Sequence, residues 1–367
     1  MEDDYEASST PGPSEPTLQQ EDNHANGPQK EQFSGEIGIK GELYLSVDRD
    51  EYCAGDVVTG RITVLVSEPL HCDALVCTIV GEEIAQWKES ADHHSRYHEI
   101  FRHEVLHESL ANPYDIGEYL YPLTYTLPVD LPGVLDAQSL DGEVSSLHAT
   151  IKYTLTATVK VQNRFISNLE ASTDITLRAC PQPFPDVHAV ERTVSKALRW
   201  FRCLSRGTCH LAMSMTHDAF ALGESPVVQC FVNNHTSAVG VHQVKVQLIQ
   251  KVTVRHTHGN EAVCTRPVAE AKCPGPKAGD LLECPVQLNL DGRVHYPTTI
   301  GSFLSCTYSV SLTCEYSMLI NPVKIELPIK ILPPARTSNA SDTAMVDLAA
   351  SMTSTASERR IPIMLLG

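Results

Sequence analysis

Ile151, Tyr153, Leu155, Ala157, Val159 and Val161 alternate with Lys152, Thr154, Thr156, Thr158 and Lys160. A period of two places the apolar set on one face of a strand and the polar set on the other. The segment therefore predicts a strand in a sheet with one buried face. Cys306, Tyr308, Val310, Leu312 and Cys314 alternate in the same way with Thr307, Ser309, Ser311, Thr313 and Glu315. Leu43, Leu45 and Val47 begin the pattern near the start of the chain, and Arg61–Val66 and Leu75–Val80 read as further strands. Tyr119 to Pro128 reads as an edge strand with prolines at its borders.

The pattern occurs twice. Residues within the stretches 48–80 and 217–248 line up at a constant shift of 168. Tyr52 falls on Phe220, Gly55 on Gly223 and Asp56 on Glu224; Ile62 falls on Cys230 and Val80 on Leu248. An aromatic, two residues and a Gly-acid pair is a turn feeding a strand, and two copies at one register predict two copies of one module. The strands that close the two halves match at a shift of 155, so the second copy has lost 13 residues in its middle. The histidine-rich stretch 85–110 lies in that middle region and does not declare its structure. Short strands separated by turns over about 140 residues predict a β-sandwich for each module. The expected fold class is all-β, with two tandem immunoglobulin-like sandwiches.

Four stretches stand outside the alternation. Residues 1–38 are rich in Glu, Ser, Pro, Gln and Asn, and are expected to be disordered. Residues 39–180 are expected to form the first sandwich and 207–334 the second. Between them, 181–206 reads as a linker, extended over Cys180–Asp186 and then helical. There Val190, Val194, Ala197 and Phe201 share one helical face, and Arg192, Lys196 and Arg199 share the opposite one. Residues 335–367 revert to Ser, Thr and Ala and are expected to be a flexible tail.

The chain has 367 residues, 42% apolar and 20% charged, with a net charge of −17. That length accommodates two cored domains. The acidic balance argues against nucleic acid, whose binding draws on basic surface. The N-terminus lacks a basic-then-apolar leader, and no apolar run reaches the roughly 20 residues that span a bilayer, so a cytosolic protein is expected. The 12 cysteines are then expected to be reduced thiols. Several of them, including Cys230, Cys306 and Cys314, fall at core phases.

Two sandwiches carrying these motifs resemble the arrestin family, specifically its α-arrestin (arrestin-domain-containing) branch. The residues that carry the resemblance are Tyr52-x-x-Gly55-Asp56-x-x-x-Gly60 leading into Ile62–Val66, and Tyr121-Pro122-Leu123-x-Tyr125-x-Leu127-Pro128 with Leu131-Pro132. In the second half they are Phe220-x-x-Gly223-Glu224, Asn233, Val244 to Gln250, and Glu326-Leu327-Pro328-Ile329. The resemblance covers about residues 40–332. It implies a non-enzymatic adaptor that binds cytoplasmic tails or loops of membrane receptors and transporters and steers them toward endocytosis or sorting. It also implies recruitment of Nedd4-class ubiquitin ligases through Pro-Pro-x-Tyr. Here the Pro333–Pro334 pair is followed by Ala335 and Arg336, which departs from that motif. A retromer-type sorting subunit shares the double sandwich and is a second reading.

Candidate chemistry is sparse, and no cofactor is called for. His103-Glu104-Val105-Leu106-His107 matches H-E-x-x-H. On a helix the two histidines would share a face and bind zinc, with Glu104 as general base of a hydrolase. The bland alternative is a chance match within a surface segment that also holds His93, His94 and His98; a weak, non-catalytic metal site among these five is intermediate. Cys264, Cys273 and Cys284 with a histidine would be a structural zinc site. Candidate cargo contacts are Arg49 and Arg61 beside the first repeat motif, and Lys152 and Lys160 on the polar face of a strand. Arg192, Lys196 and Arg199, with Trp200 and Phe201 as interfacial anchors, are candidates for lying on anionic lipid, with Cys203 and Cys209 as palmitate acceptors. The plainer reading docks the apolar stripe on a sandwich and leaves the charges solvated. Ile361, Ile363 and Leu365 are candidates for a C-terminal strand that docks back on the first module.

Overall fold

The computed structural model describes residues 41–110, 113–162, 167–179, 188–201, 203–256, 259–290, 292–317 and 319–333. The expectations for 1–38, Cys180–Asp186 and 335–367 lie outside the described residues. The first module contains β1 (Gly41–Val47), β2 (Glu51–Cys53), β3 (Val57–Val66), β4 (Cys72–Glu89) and β5 (Asp92–Ser109). It continues with β6 (Gly117–Thr126), β7 (Leu135–Leu140), β8 (Ser145–Val161), β9 (Leu169–Asp174) and β10 (Thr176–Arg178). The second contains β11 (Val190–Trp200), β12 (Leu204–Met215), β13 (Ala219–Ala221), β14 (Val227–Asn233) and β15 (Val241–Arg255), followed by β16 (Glu261–Pro274), β17 (Leu281–Gln287), β18 (Thr299–Ile300), β19 (Leu304–Tyr316) and β20 (Val323–Leu332).

Each module is built on two main sheets, and the first adds the two-stranded pair β2-β10. The first pairs β1-β3-β6 against β5-β4-β8-β7, with β9 added to β8; the second pairs β11-β12-β14-β17 against β13-β20-β19-β15-β16. Among the described residues no sheet takes strands from both modules. The duplication extends to the turns. Gly55 and Gly223 have φ of 87° and 89°, a left-handed conformation that only glycine adopts without strain. In the first turn the Cys53 N–H donates to the Asp56 carboxylate at 2.8 Å, and in the second the Ala221 N–H donates to Glu224 at 2.9 Å. The strand before each turn then pairs in parallel with the last strand of its module, Tyr52 opposite Leu177 and Phe220 opposite Ile331.

The alternating strands are buried as their pattern predicts. Leu147, Ala149, Ile151, Tyr153, Leu155, Ala157 and Val159 are inside, as are Cys306, Tyr308, Val310, Leu312 and Cys314. Each large apolar side chain so buried contributes about 1.5–3 kcal/mol. Pro122 and Pro285 sit on β6 and β17, both at sheet edges, where a missing N–H is tolerated.

Three expectations change. The stretch Val190–Phe201 is not a helix: β11 runs antiparallel to β12 over almost its whole length. Its even positions, Val190, Arg192, Val194, Lys196, Leu198 and Trp200, share one face. Arg192 and Lys196 break the apolar alternation because their stems lie along the sandwich while their cationic ends reach carbonyls at and just before β20, Glu326 at 2.6 Å and Pro322 at 3.0 Å. The histidine-rich stretch is a strand as well. β5 forms a long hairpin with β4 and occupies the place that β16 holds beside β15, so it belongs to the duplicated framework. Finally, Cys53 is disulfide-bonded, whereas the other ten described cysteines are free thiols. Cys53 ends β2 in register with Arg178 of β10, a chain proximity that spacing does not reveal.

Candidate functional site

The β11–β12 hairpin ends at Phe201, Cys203 and Leu204, and the β19–β20 loop lies beside it. Phe201, Leu204 and Leu319 are 62%, 50% and 54% exposed. Phe201 and Leu319 have positive φ of 50° and 89°, an unfavourable conformation for large side chains. Together with Arg199, Ile320 and Asn321, Phe201 and Leu319 line a shallow cavity of about 320 Å³. Trp200 is half-buried behind this rim; its ring lies 5.3 Å from that of Phe201 and carries the Arg206 guanidinium at 4.8 Å. The result is an apolar rim backed by cations at one tip of the second sandwich. Of the proposed acyl acceptors, Cys203 is exposed at this tip and Cys209 is fully buried.

The predicted contact residues therefore divide. Arg199, Trp200 and Phe201 converge at the tip. Arg192 and Lys196 sit on the same strand but are held by the Glu326 and Pro322 carbonyls. Arg49 is engaged within its own turn: it donates to the Val57 carbonyl at 3.0 Å and covers the Tyr52 ring at 4.8 Å. Lys152 pairs with Glu82 at 3.1 Å. Arg61 and Lys160 are exposed on β3 and β8. Arg49, Arg61, Lys152 and Lys160 do not assemble into one site.

The zinc readings lose their geometry. His103 and His107 lie on β5, a strand rather than the helix that the protease signature needs. The His103 ring stacks on Tyr125 at 4.9 Å, and His107 Nδ1 lies 2.8 Å from Glu104. Cys264 points into the seam between the sandwiches, toward the Leu140 and Val144 carbonyls, apart from Cys273 and Cys284. Among the described residues no three His, Cys, Asp or Glu side chains converge as a metal-holding group. Burial pushes the Cys77 and Cys230 thiols up to about 12, aided at Cys230 by Cys284 and Cys273. Such thiols stay protonated and are poor nucleophiles.

The seam between the sandwiches was not legible in the sequence. Trp87 is buried between His94 of its own hairpin, ring centroids 5.5 Å apart, and His256 of the second module, 5.1 Å away. Arg96 donates to the Arg255 carbonyl and stacks on Phe303 at 4.5 Å. Val263 N–H donates to Glu143 at 2.9 Å, and the Thr299 hydroxyl to the Gly133 carbonyl at 3.2 Å. Arg178 joins Glu51 at 2.6 Å to the His295 carbonyl at 3.2 Å. The fully buried Glu83 also crosses this seam. Its signal was present: Glu83 occupies the inward phase of the run Ile79, Gly81, Glu83, Ala85, Trp87.

Comparison with known proteins gives this arrangement a family. Residues 42–177 match the family described as Arrestin (or S-antigen), N-terminal domain, and 205–335 match Arrestin (or S-antigen), C-terminal domain. The chain is also 21% identical over 324 residues to "Arrestin domain-containing protein A" of Dictyostelium discoideum, an alignment that covers 81% of this chain. It spans about half of that relative's length, 52%. Two matched domains in order, the duplicated Gly-acid turns and the paired sandwiches together show that the chain belongs to the arrestin family.

Proposed function

We propose that the protein is a non-enzymatic adaptor that meets cytoplasmic segments of membrane proteins while the tip of its second sandwich rests on an anionic membrane surface. Membership in the arrestin family supports an adaptor or scaffold role in general. The observation that carries the membrane part is the tip itself: exposed Phe201, Leu204 and Leu319, backed by Arg199 and Arg206. An apolar rim can enter the headgroup region while neighbouring cations meet anionic lipid, and neither contact needs a partner protein. Cargo would then be engaged elsewhere, by strand addition at a free sheet edge or by loop packing. The strand-borne His103 and His107 leave the hydrolase reading without support. Ubiquitin-ligase recruitment has no Pro-Pro-x-Tyr motif to rest on.

Proximity labelling in cells tests this reading, with wild type compared with a Phe201→Asp/Leu319→Asp variant. The expected result is labelling of integral membrane proteins on their cytoplasmic segments, reduced several-fold in the variant. A wild-type set made of soluble proteins would overturn the adaptor reading. A stable set of coat subunits would favour the sorting-subunit alternative.

A further inference from the structure

Glu83 projects from β4 at an inward phase and is fully buried. Its carboxylate leaves the first sandwich and enters the turn that precedes β19 in the second. The Ser302 N–H donates to Oε2 at 3.1 Å, and the Phe303 and Leu304 N–H groups donate to Oε1 at 3.0 and 2.6 Å. The turn is closed on itself by the Gly301 N–H, which donates to the Leu304 carbonyl at 2.8 Å. Three successive amides aimed at one point form a concavity that binds anions. Charge-assisted hydrogen bonds of this kind are about twice as strong as neutral ones.

The seat is tightly built. A Cβ added to Gly301 would collide with Glu83 Oε1 and approach Ile151 Cδ1 to 3.3 Å. Phe303, the middle residue, is held from two further sides: its ring lies under the Arg96 guanidinium, and its carbonyl accepts from the Arg255 N–H at 2.8 Å. Among the described residues no Lys, Arg or His forms an ion pair with Glu83, so the backbone amides carry the stabilisation of the charge.

We propose that residues 302–304 are an anion-binding cradle of the second sandwich, occupied in cis by the Glu83 carboxylate of the first, and that this occupancy fixes the angle between the two. A displaced Glu83 would strand a desolvated carboxylate and three unpaired amides, and neither can be left buried cheaply. The joint therefore has a seated and an unseated state rather than a continuum of slightly shifted ones. The cradle is matched to a carboxylate or a similarly small oxyanion.

The test uses the full chain, with acetate and acetamide as probes. Glu83→Ala empties the cradle without touching its amides. Hydrogen exchange of peptides covering 302–304 is expected to rise at least tenfold, and small-angle scattering is expected to show a broadened distribution of maximum dimension. Acetate at tens of millimolar should restore both, and acetamide, equal in shape but uncharged, should not. Gly301→Ala keeps the carboxylate and blocks its seat, so it should reproduce the faster exchange without acetate rescue. It also serves as the second variant if Glu83→Ala does not fold. Unchanged exchange in whichever variant folds would overturn the proposal, and so would equal rescue by acetamide, which would mark a filled cavity rather than an anion site.

Discussion

Truncating Phe201 to alanine isolates the apolar part of the membrane contact. The residue is 62% exposed. A phenylalanine presents roughly 200 Å², so about 120 Å² remains to be covered, equivalent to about 3 kcal/mol at ~25 cal/mol per Å². A ring that reaches only the headgroup boundary realises about half of this. The expected loss is therefore roughly tenfold in vesicle partitioning. Arg199→Glu acts by charge: the attraction of the guanidinium to an anionic surface is replaced by the repulsion of a carboxylate, about 1 kcal/mol each. That deficit should fade as the screening length falls to about 3 Å near 1 M salt, whereas the Phe201→Ala deficit should persist. Flotation with phosphatidylserine vesicles, and with neutral ones, at low and high salt separates the two. Equal flotation of wild type and Phe201→Ala at both salts would refute the reasoning. So would an Arg199→Glu deficit that salt leaves untouched.

Gly55→Ala and Gly223→Ala should each cost about 1–2 kcal/mol, because both glycines are left-handed. Gly55 should cost more, since its Cβ would meet Val129 Cγ1 at 3.2 Å and that of Gly223 would meet nothing within 4 Å; thermal melting of the two variants checks the order. Burial raises the Asp48 pKa, but hydrogen bonds from Tyr52 and Thr59 and the Arg49 charge outweigh it, leaving the carboxyl below its ordinary 3.8. A depressed carboxylate stabilises the fold above 3.8 and loses that contribution as pH falls through the folded value. Asp48→Asn should therefore be less stable than wild type at about pH 7, with the gap closing in acid, as denaturant titrations at about pH 7 and about pH 3 would show. His103→Ala/His107→Ala should leave the zinc content of purified protein unchanged by elemental analysis, and a stoichiometric metal lost in the variant would restore the metal reading.

The fold was legible where one side of a strand is buried and the other is wet. Leu147 to Val159 and Cys306 to Cys314 show that alternation in their letters because the sheet shows it in space. The Gly-acid turns were legible because left-handed geometry and an acid accepting a backbone N–H restrict residue choice at two positions. The pattern failed along β11, where Arg192 and Lys196 stand at inward phases and a spacing of four imitated a helix. The linker reading of 181–206 changed with it. The tip was half legible: Trp200 and Phe201 were found for their chemistry, but Leu319 joins them through the β19–β20 loop, far along the chain. Glu83 was marked only by its inward phase on β4; its partners were not legible, because they are three amides more than 200 residues away.

The parallel pairing of β2 with β10 and of β13 with β20 also constrains how the chain can fold as it is made. Each pair joins the opening turn of a sandwich to its final strand, so neither sandwich can seal until its whole sequence has been synthesised. Non-local closures of this kind are slow to form. The first sandwich can seal once Arg178 has emerged, while most of the second is still untranslated. Between those two moments it waits with the Glu83 carboxylate unseated and Trp87 without its His256 neighbour. Its seam face stays uncovered until the second sandwich has been made.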